Sequence, residues 1–293
     1  MRFSDIGDQL RAYRLESGLR AEEIAARLGV SRAALYRYEK GEVIKLDTVR
    51  RLAEMLKISP LTLLGVGVEY YSRSVGFLER LRQLEEGAEQ VLQVDGALCA
   101  LTVGEAFDAA LAEALADAAE QAGAERAQWR ATADQVLSLL AARRRNFVQR
   151  RPSLICLLSA GRVAALLDAG LAAGIAVSDR VRRQCRLAAA TEIARIAATM
   201  ESEPIGLQFG LLSGNEPSAS FMLLRARDRA TVTINPFRPD GTPYLSTGVA
   251  TVTGADEAVA AHQRVAESLW RDAMKGPAAA ARLRELIARN GTA

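Results

Sequence analysis

A glycine between two short helical segments is the sequence feature that most constrains the N-terminal fold. Residues 21–41 read AEEIAARLGVSRAALYRYEKG, with the small Ala25 ahead of Gly29 and the apolar Leu35 behind it. A small residue lets two helices cross closely, glycine accepts a positive φ, and the later apolar side chain fills the space between the helices. The spacing therefore predicts a helix-turn-helix motif over residues 21–40.

Turn and cap signals extend this helical pattern over the start of the chain. Gly18 ends a first amphipathic segment, Ser31 is a good N-cap, and Ser59 precedes Pro60 in the favoured first-turn position. The predicted helices cover residues up to 17, 21–28, 31–40, 46–56 and from 59 onward. We therefore predict an all-α, five-helix domain over residues 1–65, followed by at least one further domain.

Residues 6–64 resemble the Cro/phage-repressor type of helix-turn-helix regulators, the XRE family. The family pattern "LAxxLGVSxxxISRxExG" corresponds here to Ile24–Ser31 and Leu35–Gly41. The resemblance implies that a double-stranded DNA operator is the partner and that a recognition helix over residues 31–40 enters its major groove.

The sequence departs from that family pattern in two places. Arg20 and Ala21 stand where the family usually has Ser/Thr-Gln, and Tyr36 stands where many members carry a small serine. A contact expected from the glutamine is therefore missing, and Arg20 is a candidate to replace it. The operator sequence does not follow from the resemblance.

The outward face of the recognition helix carries the candidate DNA contacts. Arginine can donate two hydrogen bonds to O6 and N7 of guanine, so Arg32 is the candidate for base reading, with Tyr36 placed to lie against a sugar or a thymine methyl group. Arg37, Lys40 and Lys45 are candidate phosphate anchors. The predicted DNA-binding residues are Arg20, Ser31, Arg32, Ala33, Tyr36, Arg37, Lys40 and Lys45.

The net positive charge is concentrated in the same segment. Residues 1–64 contain 12 Lys/Arg and 9 Asp/Glu, whereas the rest of the chain contains 26 of each. A basic excess in a small module is what contact with phosphate requires. Glu39 lies among these basic residues, and we expect it to pair with one of them inside the domain.

Residues 66–94 are predicted to form a helical linker and a candidate dimerisation helix, running from about Val68 to Val94. Apolar residues recur in this segment at alternating four- and three-residue spacing: Phe77, Leu81, Leu84, Ala88 and Val91. This is the a/d period of a coiled coil. An amphipathic connector that packs on the following domain fits the same spacing.

Residues 95–293 read as an α/β domain of the size of a ligand sensor. An Ala-rich helical stretch reaches Gln149, a buried strand follows at Ser153–Ser159, and two helices come next. Strand-like runs then occur at residues 205–212, 221–227, 230–235 and 249–253, before two closing helices. The domain is predicted to bind a small-molecule effector or to join two subunits.

The C-terminal stretches "NPFR", "GVATVT" and "LWRDA" weakly resemble the phospholipase-D-like domains that some helix-turn-helix regulators use as sensors. The catalytic version of that domain needs His-x-Lys, whereas His262, the single histidine, is followed by Gln263 and Arg264. The resemblance therefore implies a sensor without catalysis. Three arginines are candidates to bind an anionic effector: Arg225, Arg227 and Arg238.

Other chemistry is not indicated by the sequence. The chain lacks a phosphate-binding GxxxxGK[ST] loop and a GxSxG nucleophile elbow, and Cys99, Cys156 and Cys185 match no disulfide framework or zinc spacing. We therefore expect no enzyme activity, no metal and no cofactor. The longest weakly polar stretch, Val163–Val177, is interrupted by Asp168 and is too short to span a membrane, so a cytoplasmic protein is expected.

The sequence thus favours a dimeric, sequence-specific transcriptional regulator with a C-terminal effector-binding domain. One alternative is an oligomerisation-only repressor or antitoxin-like module without a ligand. Another is an enzyme that carries a DNA-tethering domain, which the lack of catalytic motifs disfavours.

Overall fold

The described residues form a helical N-terminal region and one mixed sheet with its helices. The computed structural model describes residues 3–64, 67–214, 216–217, 219–237, 244 and 247–290. The first region contains α1 (Phe3–Ser17), α2 (Ala21–Leu28), α3 (Arg32–Glu39), α4 (Leu46–Leu56) and α5 (Pro60–Leu63). The predicted five-helix fold is therefore confirmed.

Cap residues explain these helix boundaries. Ser31 Oγ accepts a hydrogen bond from the Ala34 N–H at 3.1 Å where α3 begins, and Ser59 Oγ accepts one from the Leu61 N–H at 3.2 Å where α5 begins. Gly29 ends α2 with a φ of 71°, a left-handed conformation that costs glycine little. The cap signals in the sequence therefore predict the boundaries correctly.

The remaining elements alternate between helices and strands. The helices are α6 (Ser74–Glu86), α7 (Glu105–Gln121), α8 (Arg126–Arg150), α9 (Ala160–Ala169), α10 (Asp179–Ser202), α11 (Asp256–Asp272) and α12 (Gly276–Asn290). The strands are β1 (Val68–Tyr71), β2 (Gln90–Gly96), β3 (Ser153–Ser159), β4 (Leu207–Leu212), β5 (Phe221–Arg225), β6 (Ala230–Ile234) and β7 (Ala250–Thr253). Strands β3 to β7 were predicted with small differences at their ends, whereas β1 and β2 were not.

The seven strands form one sheet in the order β1-β7-β6-β5-β2-β3-β4. Strands β2, β3 and β4 run parallel, with Val91 opposite Leu154 and Leu154 opposite Leu207, and the other neighbours are antiparallel. Helices α7 and α8 connect β2 to β3, and α9 and α10 connect β3 to β4. Parallel neighbours need such long crossovers. The predicted α/β class of the C-terminal region is confirmed.

The two faces of the sheet are covered unequally. One face belongs to a large apolar core that continues into the N-terminal helices and includes Leu10, Leu35, Phe77 and Leu81. The other face is covered by α11, which packs Ala266 against a smaller apolar cluster. Among the described residues, no helix combines the length and the apolar character that crossing a membrane would need.

The continuous helix predicted from Val68 to Val94 is wrong. The segment folds as β1, α6 and β2 in succession, and Gly87 ends α6. The physical reason is visible in β1, where burial alternates with a period of two, so that Glu69 and Tyr71 are buried while Val68 and Tyr70 are exposed. That period belongs to a strand rather than to a helix.

The predicted dimerisation seam is wrong for the same segment. Its five positions are buried inside the chain, at Phe77, Leu81, Leu84, Ala88 and Val91. Val91 moreover lies in β2 and pairs with Leu154. The four-three spacing therefore reflects packing of α6 into the core, which is the alternative that the sequence left open.

Helix α1 packs directly on α6 and β1. The N-terminal helices therefore contact the sheet region directly and are not joined to it through a linker alone. The ring of Tyr13 in α1 stacks on Tyr71 in β1 with 5.1 Å between centroids and 14° between planes. Tyr71 in turn contacts Phe77 in α6 at 6.2 Å. Glu16 at the end of α1 accepts hydrogen bonds from the Ser72 and Arg73 N–H groups that precede α6.

Candidate nucleic-acid interface

Helices α2 and α3 form the predicted helix-turn-helix. The Val30 N–H donates to the Ala25 carbonyl at 3.0 Å across the turn at Gly29. Ile24 and Leu35 are fully buried between the helices. Because one face of each helix is fixed in the core, the opposite face of α3 is held outward in a defined orientation.

The outward face of α3, its two ends and the starts of α2 and α4 carry the predicted DNA-binding residues. All of them are exposed: Arg20, Ser31, Arg32, Ala33, Tyr36, Arg37, Lys40 and Lys45. Arg32, Ala33, Tyr36 and Arg37 belong to α3, whereas Lys40 directly follows it. The structure thus brings a base-reading candidate and a phosphate-binding candidate onto one helix surface, which is what docking into a groove requires.

Arg32 is held by two neighbours on the protein surface. Its Nη1 lies 2.7 Å from the Glu22 carboxylate in α2, and its Nε and Nη2 lie 3.4 and 3.1 Å from the Tyr36 hydroxyl. The guanidinium also lies over the Tyr36 ring, 5.3 Å from its centroid. The hydrogen bond with Tyr36 and the charge of Glu22 raise the pKa of Arg32 above its usual value. Arg32 therefore stays cationic.

Two further candidate arginines have acidic partners. Arg37 lies 3.2 Å from Glu42, and Arg20 lies 3.2 Å from Glu23. Glu23 also accepts a hydrogen bond from the Arg20 N–H at 2.8 Å. This backbone bond, followed by the bond with the Arg20 side chain, lowers the pKa of the exposed Glu23. Glu23 therefore stabilises the start of α2, while the Arg20 side chain remains exposed.

Glu39 pairs within the domain, as predicted. Arg14 in α1 donates two hydrogen bonds to its carboxylate, from Nε at 2.5 Å and from Nη2 at 3.1 Å. Both side chains are largely buried. This pair joins the end of α3 to α1, so it fixes the recognition helix against the rest of the domain.

A buried polar cluster lies on the opposite side of α1. Glu69 in β1 accepts hydrogen bonds from Gln9 at 3.0 Å, from Tyr71 at 2.7 Å and twice from Arg80 at 2.8 Å. Arg80 also donates to Gln83, whose amide donates to the Asp8 carbonyl in α1. The cluster therefore connects α1, β1 and α6 through buried and partly buried hydrogen bonds.

Sequence reasoning missed Glu22, Glu69 and Arg80. Glu22 is an acid in the first turn of a helix, where acids commonly occur to complement the helix dipole, so nothing marked it as the neighbour of Arg32. Glu69 and Arg80 were placed on one predicted helix, and only the strand conformation of β1 brings their side chains together.

The candidate effector residues are divided between described and undescribed parts of the chain. Arg225 ends β5 and donates to Gln263 of α11 at 2.7 Å, and Arg227 is exposed in the turn before β6. Arg238 lies outside the described residues. A cavity of about 420 Å³ lies elsewhere, near β4, and its lining includes Met200, Phe209 and Trp270.

One of three comparisons with known proteins, the match to a family model, agrees with the geometry of α1 to α5. A search of curated proteins gives no match. A solved structure described as "Structure of TrmBL2, an archaeal chromatin protein, shows a novel mode of DNA binding" is similar at 12% identity and a TM-score of 0.34, covering 78% of this chain and 61% of that one. This chain thus spans about three fifths of that protein's length. Residues 5–64 match the family described as "Helix-turn-helix domain", so the chain carries a helix-turn-helix domain at its N-terminal end.

Proposed function

We propose that the protein is a sequence-specific, double-stranded-DNA-binding transcriptional regulator of the XRE type, with α3 in the major groove. The observation that carries the proposal is the helix-turn-helix match over residues 5–64 together with the exposed, basic outer face of α3. Arg32 reads guanine, and Arg37, Lys40 and Lys45 contact phosphates. The local acidic partners of Arg32 and Arg37 exchange for DNA on binding.

The regulator acts as a homodimer. One helix-turn-helix domain covers one half-site, and a two-fold dimer places two recognition helices about 34 Å apart, one turn of DNA. The α/β region is proposed to join the copies and to bind a small-molecule effector rather than to catalyse a reaction, in line with its weak resemblance to phospholipase-D-like sensors. The cavity near β4 is within the usual size of small-molecule sites.

Binding of the full chain to labelled duplexes tests the DNA-binding proposal. An operator selected from random sequence is compared with a random duplex by fluorescence anisotropy at several salt concentrations. Arg32→Ala is expected to lower the operator preference by about ten- to a hundredfold, because a bidentate contact with guanine is lost. Lys45→Ala is expected to weaken both duplexes equally and to lower the salt slope by about one.

The control is Arg284→Ala on α12, which removes the same charge far along the chain and is expected to leave both affinities unchanged. An Arg32→Ala variant that keeps the full operator preference contradicts the base-reading role. Failure of the wild-type chain to bind any selected duplex contradicts the proposed function as a whole.

The effector proposal is tested by thermal unfolding of the full chain with a panel of metabolites. A ligand that binds the native state at about 100 times its Kd adds about 2.7 kcal/mol of stability. A hit that also changes operator affinity supports a ligand-gated regulator. A hit that leaves DNA binding unchanged contradicts gating, and a stable dimer without any hit favours the oligomerisation-only alternative.

A further inference from the structure

Arg32 is contacted by two different helices. Tyr36 lies one turn further along α3, and Glu22 comes from the first turn of α2. Tyr36 uses its hydroxyl and its ring, whereas Glu22 uses one carboxylate oxygen. The two neighbours therefore act on different parts of the same guanidinium.

One edge of the guanidinium can contact a base once Glu22 releases Nη1. The Tyr36 hydroxyl faces Nε and Nη2, and Glu22 faces Nη1. A guanidinium has five N–H groups, and the Nη1–Nη2 edge carries two that point in parallel. Release of Nη1 by Glu22 frees this edge for O6 and N7 of guanine, while Tyr36 keeps the plane of the guanidinium fixed.

A carboxylate beside Arg32 affects the two kinds of DNA acceptor differently. Guanine presents neutral oxygen and nitrogen acceptors, whereas a phosphate brings a negative charge to within a few ångströms of the carboxylate. The repulsion therefore penalises a phosphate contact by Arg32 more than a guanine contact. Glu22 is exposed, so this repulsion weakens as salt increases.

We infer that Tyr36 is a positioning residue for Arg32 and that Glu22 is a specificity determinant that steers Arg32 from phosphates to guanine. The inference rests on the proposed function, because it requires α3 to lie in the major groove. It assigns the discrimination against random DNA to an acidic residue of the preceding helix. The expected signature is tighter but less selective binding when that acid is neutralised.

The test uses the full chain with Glu22→Gln and Tyr36→Phe, the selected operator and a random duplex, over a range of salt concentrations. Glu22→Gln is expected to tighten binding to random DNA by about two- to fivefold, and to tighten operator binding less. Tyr36→Phe keeps the ring but removes the hydroxyl, and is expected to weaken operator binding about two- to fivefold more than random binding. Both side chains are exposed, and unchanged thermal unfolding checks that the fold is intact.

The matched control is Glu54→Gln. Glu54 is an exposed acid of α4 in the same domain, and it pairs with Arg50 rather than with Arg32. The double variant Glu22→Gln with Arg32→Ala completes the test. If Glu22 acts through Arg32, neutralising it in the Arg32→Ala background has no more effect than Glu54→Gln.

The outcomes separate the inference from the proposed function. Equal tightening of both duplexes by Glu22→Gln, or an effect that persists without Arg32, overturns the role of Glu22 while the operator preference of the wild type stands. Equal loss on both duplexes with Tyr36→Phe overturns the positioning role. Absence of any effect of Arg32→Ala on preference refutes base reading by Arg32 itself.

Discussion

The charged pair on the outer face of α3 and the charged pair between β1 and α6 consist of the same residue types, but they differ in their exposure to solvent. The Arg32 and Glu22 side chains are 59% and 54% exposed, whereas those of Arg80 and Glu69 are each 9% exposed. An exposed pair exchanges its partner easily, so DNA can displace Glu22. A buried pair has no such competitor, and it holds the helices that support the recognition surface.

The energetic consequence of a mutation should differ in the same way. An exposed ion pair contributes about 0–1 kcal/mol, because water and salt screen it and ordering two long side chains costs entropy. Removing one member of a buried pair leaves an uncompensated charge out of water, which costs about 3–5 kcal/mol. The exposed pair on α3 can therefore exchange its partner for DNA, whereas the buried pair holds β1 and α6 together rigidly.

The largest effect is expected for Arg80→Met. The substitution keeps the aliphatic volume but leaves the Glu69 carboxylate buried, with Gln9 and Tyr71 as its remaining partners among the described residues. We expect a loss of about 3–5 kcal/mol in the free energy of unfolding, measured by urea denaturation. The control is Arg50→Met on α4, where the exposed arginine pairs with Asp47 and Glu54.

A double variant sharpens this test. Glu69→Gln in the Arg80→Met background removes the second charge and is expected to restore part of the lost stability, since no uncompensated charge then remains. If Arg80→Met lowers the urea midpoint no more than Arg50→Met, the supporting role of the buried cluster is refuted.

Glu39→Gln should have the next largest effect. The change removes the charge that accepts two hydrogen bonds from Arg14, and hydrogen bonds to charged groups contribute about 1.5–3 kcal/mol each. We expect a loss of about 2 kcal/mol and weaker binding to operator and random DNA alike, because α3 loses its anchor on α1. Urea denaturation and anisotropy measure the two effects.

The exposed Glu54→Gln serves as the control for Glu39→Gln. It removes the same charge from the same domain without touching α1 or α3. Equal stabilities of the two variants would show that the Arg14 pair is not needed to hold α3.

A third prediction concerns the close approach of α1 and α6 at Gly76. A Cβ at Gly76 would lie 2.8 Å from Glu16 Cβ and 2.9 Å from Glu16 Cα, so the helices must separate to accept it. Gly76→Ala is expected to cost about 1–3 kcal/mol despite the better helix propensity of alanine. Gly87→Ala is the control, because a Cβ there meets no atom within 4 Å. A Gly76→Ala variant as stable as Gly87→Ala would contradict tight docking of α1.

The sequence predicted α2, α3 and their outward residues better than the buried contacts of α1, β1 and α6. Caps at Ser31 and Ser59, the turn at Gly29 and the outward residues of α3 depend on local geometry, which neighbouring residues determine. The pairing of Glu39 was also predicted, because basic residues surround it in the sequence. Arg14, its partner, is separated from it by 25 positions and was not identified.

The region from β1 to β2, which supports the helix-turn-helix, could not be predicted from the local sequence pattern. The stretch from Val68 to Val94 contains a true helix flanked by two strands, and a four-residue strand such as β1 is too short to show its period clearly. Pairing of β1 with β7 joins residues about 180 positions apart, for example Val68 with Thr253. Such contacts come from the topology of the sheet rather than from spacing along the chain.

The smallest effect is expected for Arg284→Gln, which breaks an exposed ion pair between Arg284 of α12 and Glu201 of α10. Hydrogen bonds from Arg284 lower the pKa of Glu201 below its usual value, so the unfolded chain binds a proton more readily than the native one. The stabilisation by the pair is therefore present above the usual pKa of glutamate and is lost as the pH falls through the lowered pKa. In urea denaturation, wild type and Arg284→Gln should differ slightly at about pH 7, and the difference should shrink as the pH falls below the usual pKa of glutamate. Arg289→Gln removes the same charge from an exposed position of the same helix without touching Glu201, and it should show no such convergence. A deficit that equals that of Gly76→Ala, or one that grows in acid, would mean that exposed pairs in this protein stabilise the fold as the buried ones do.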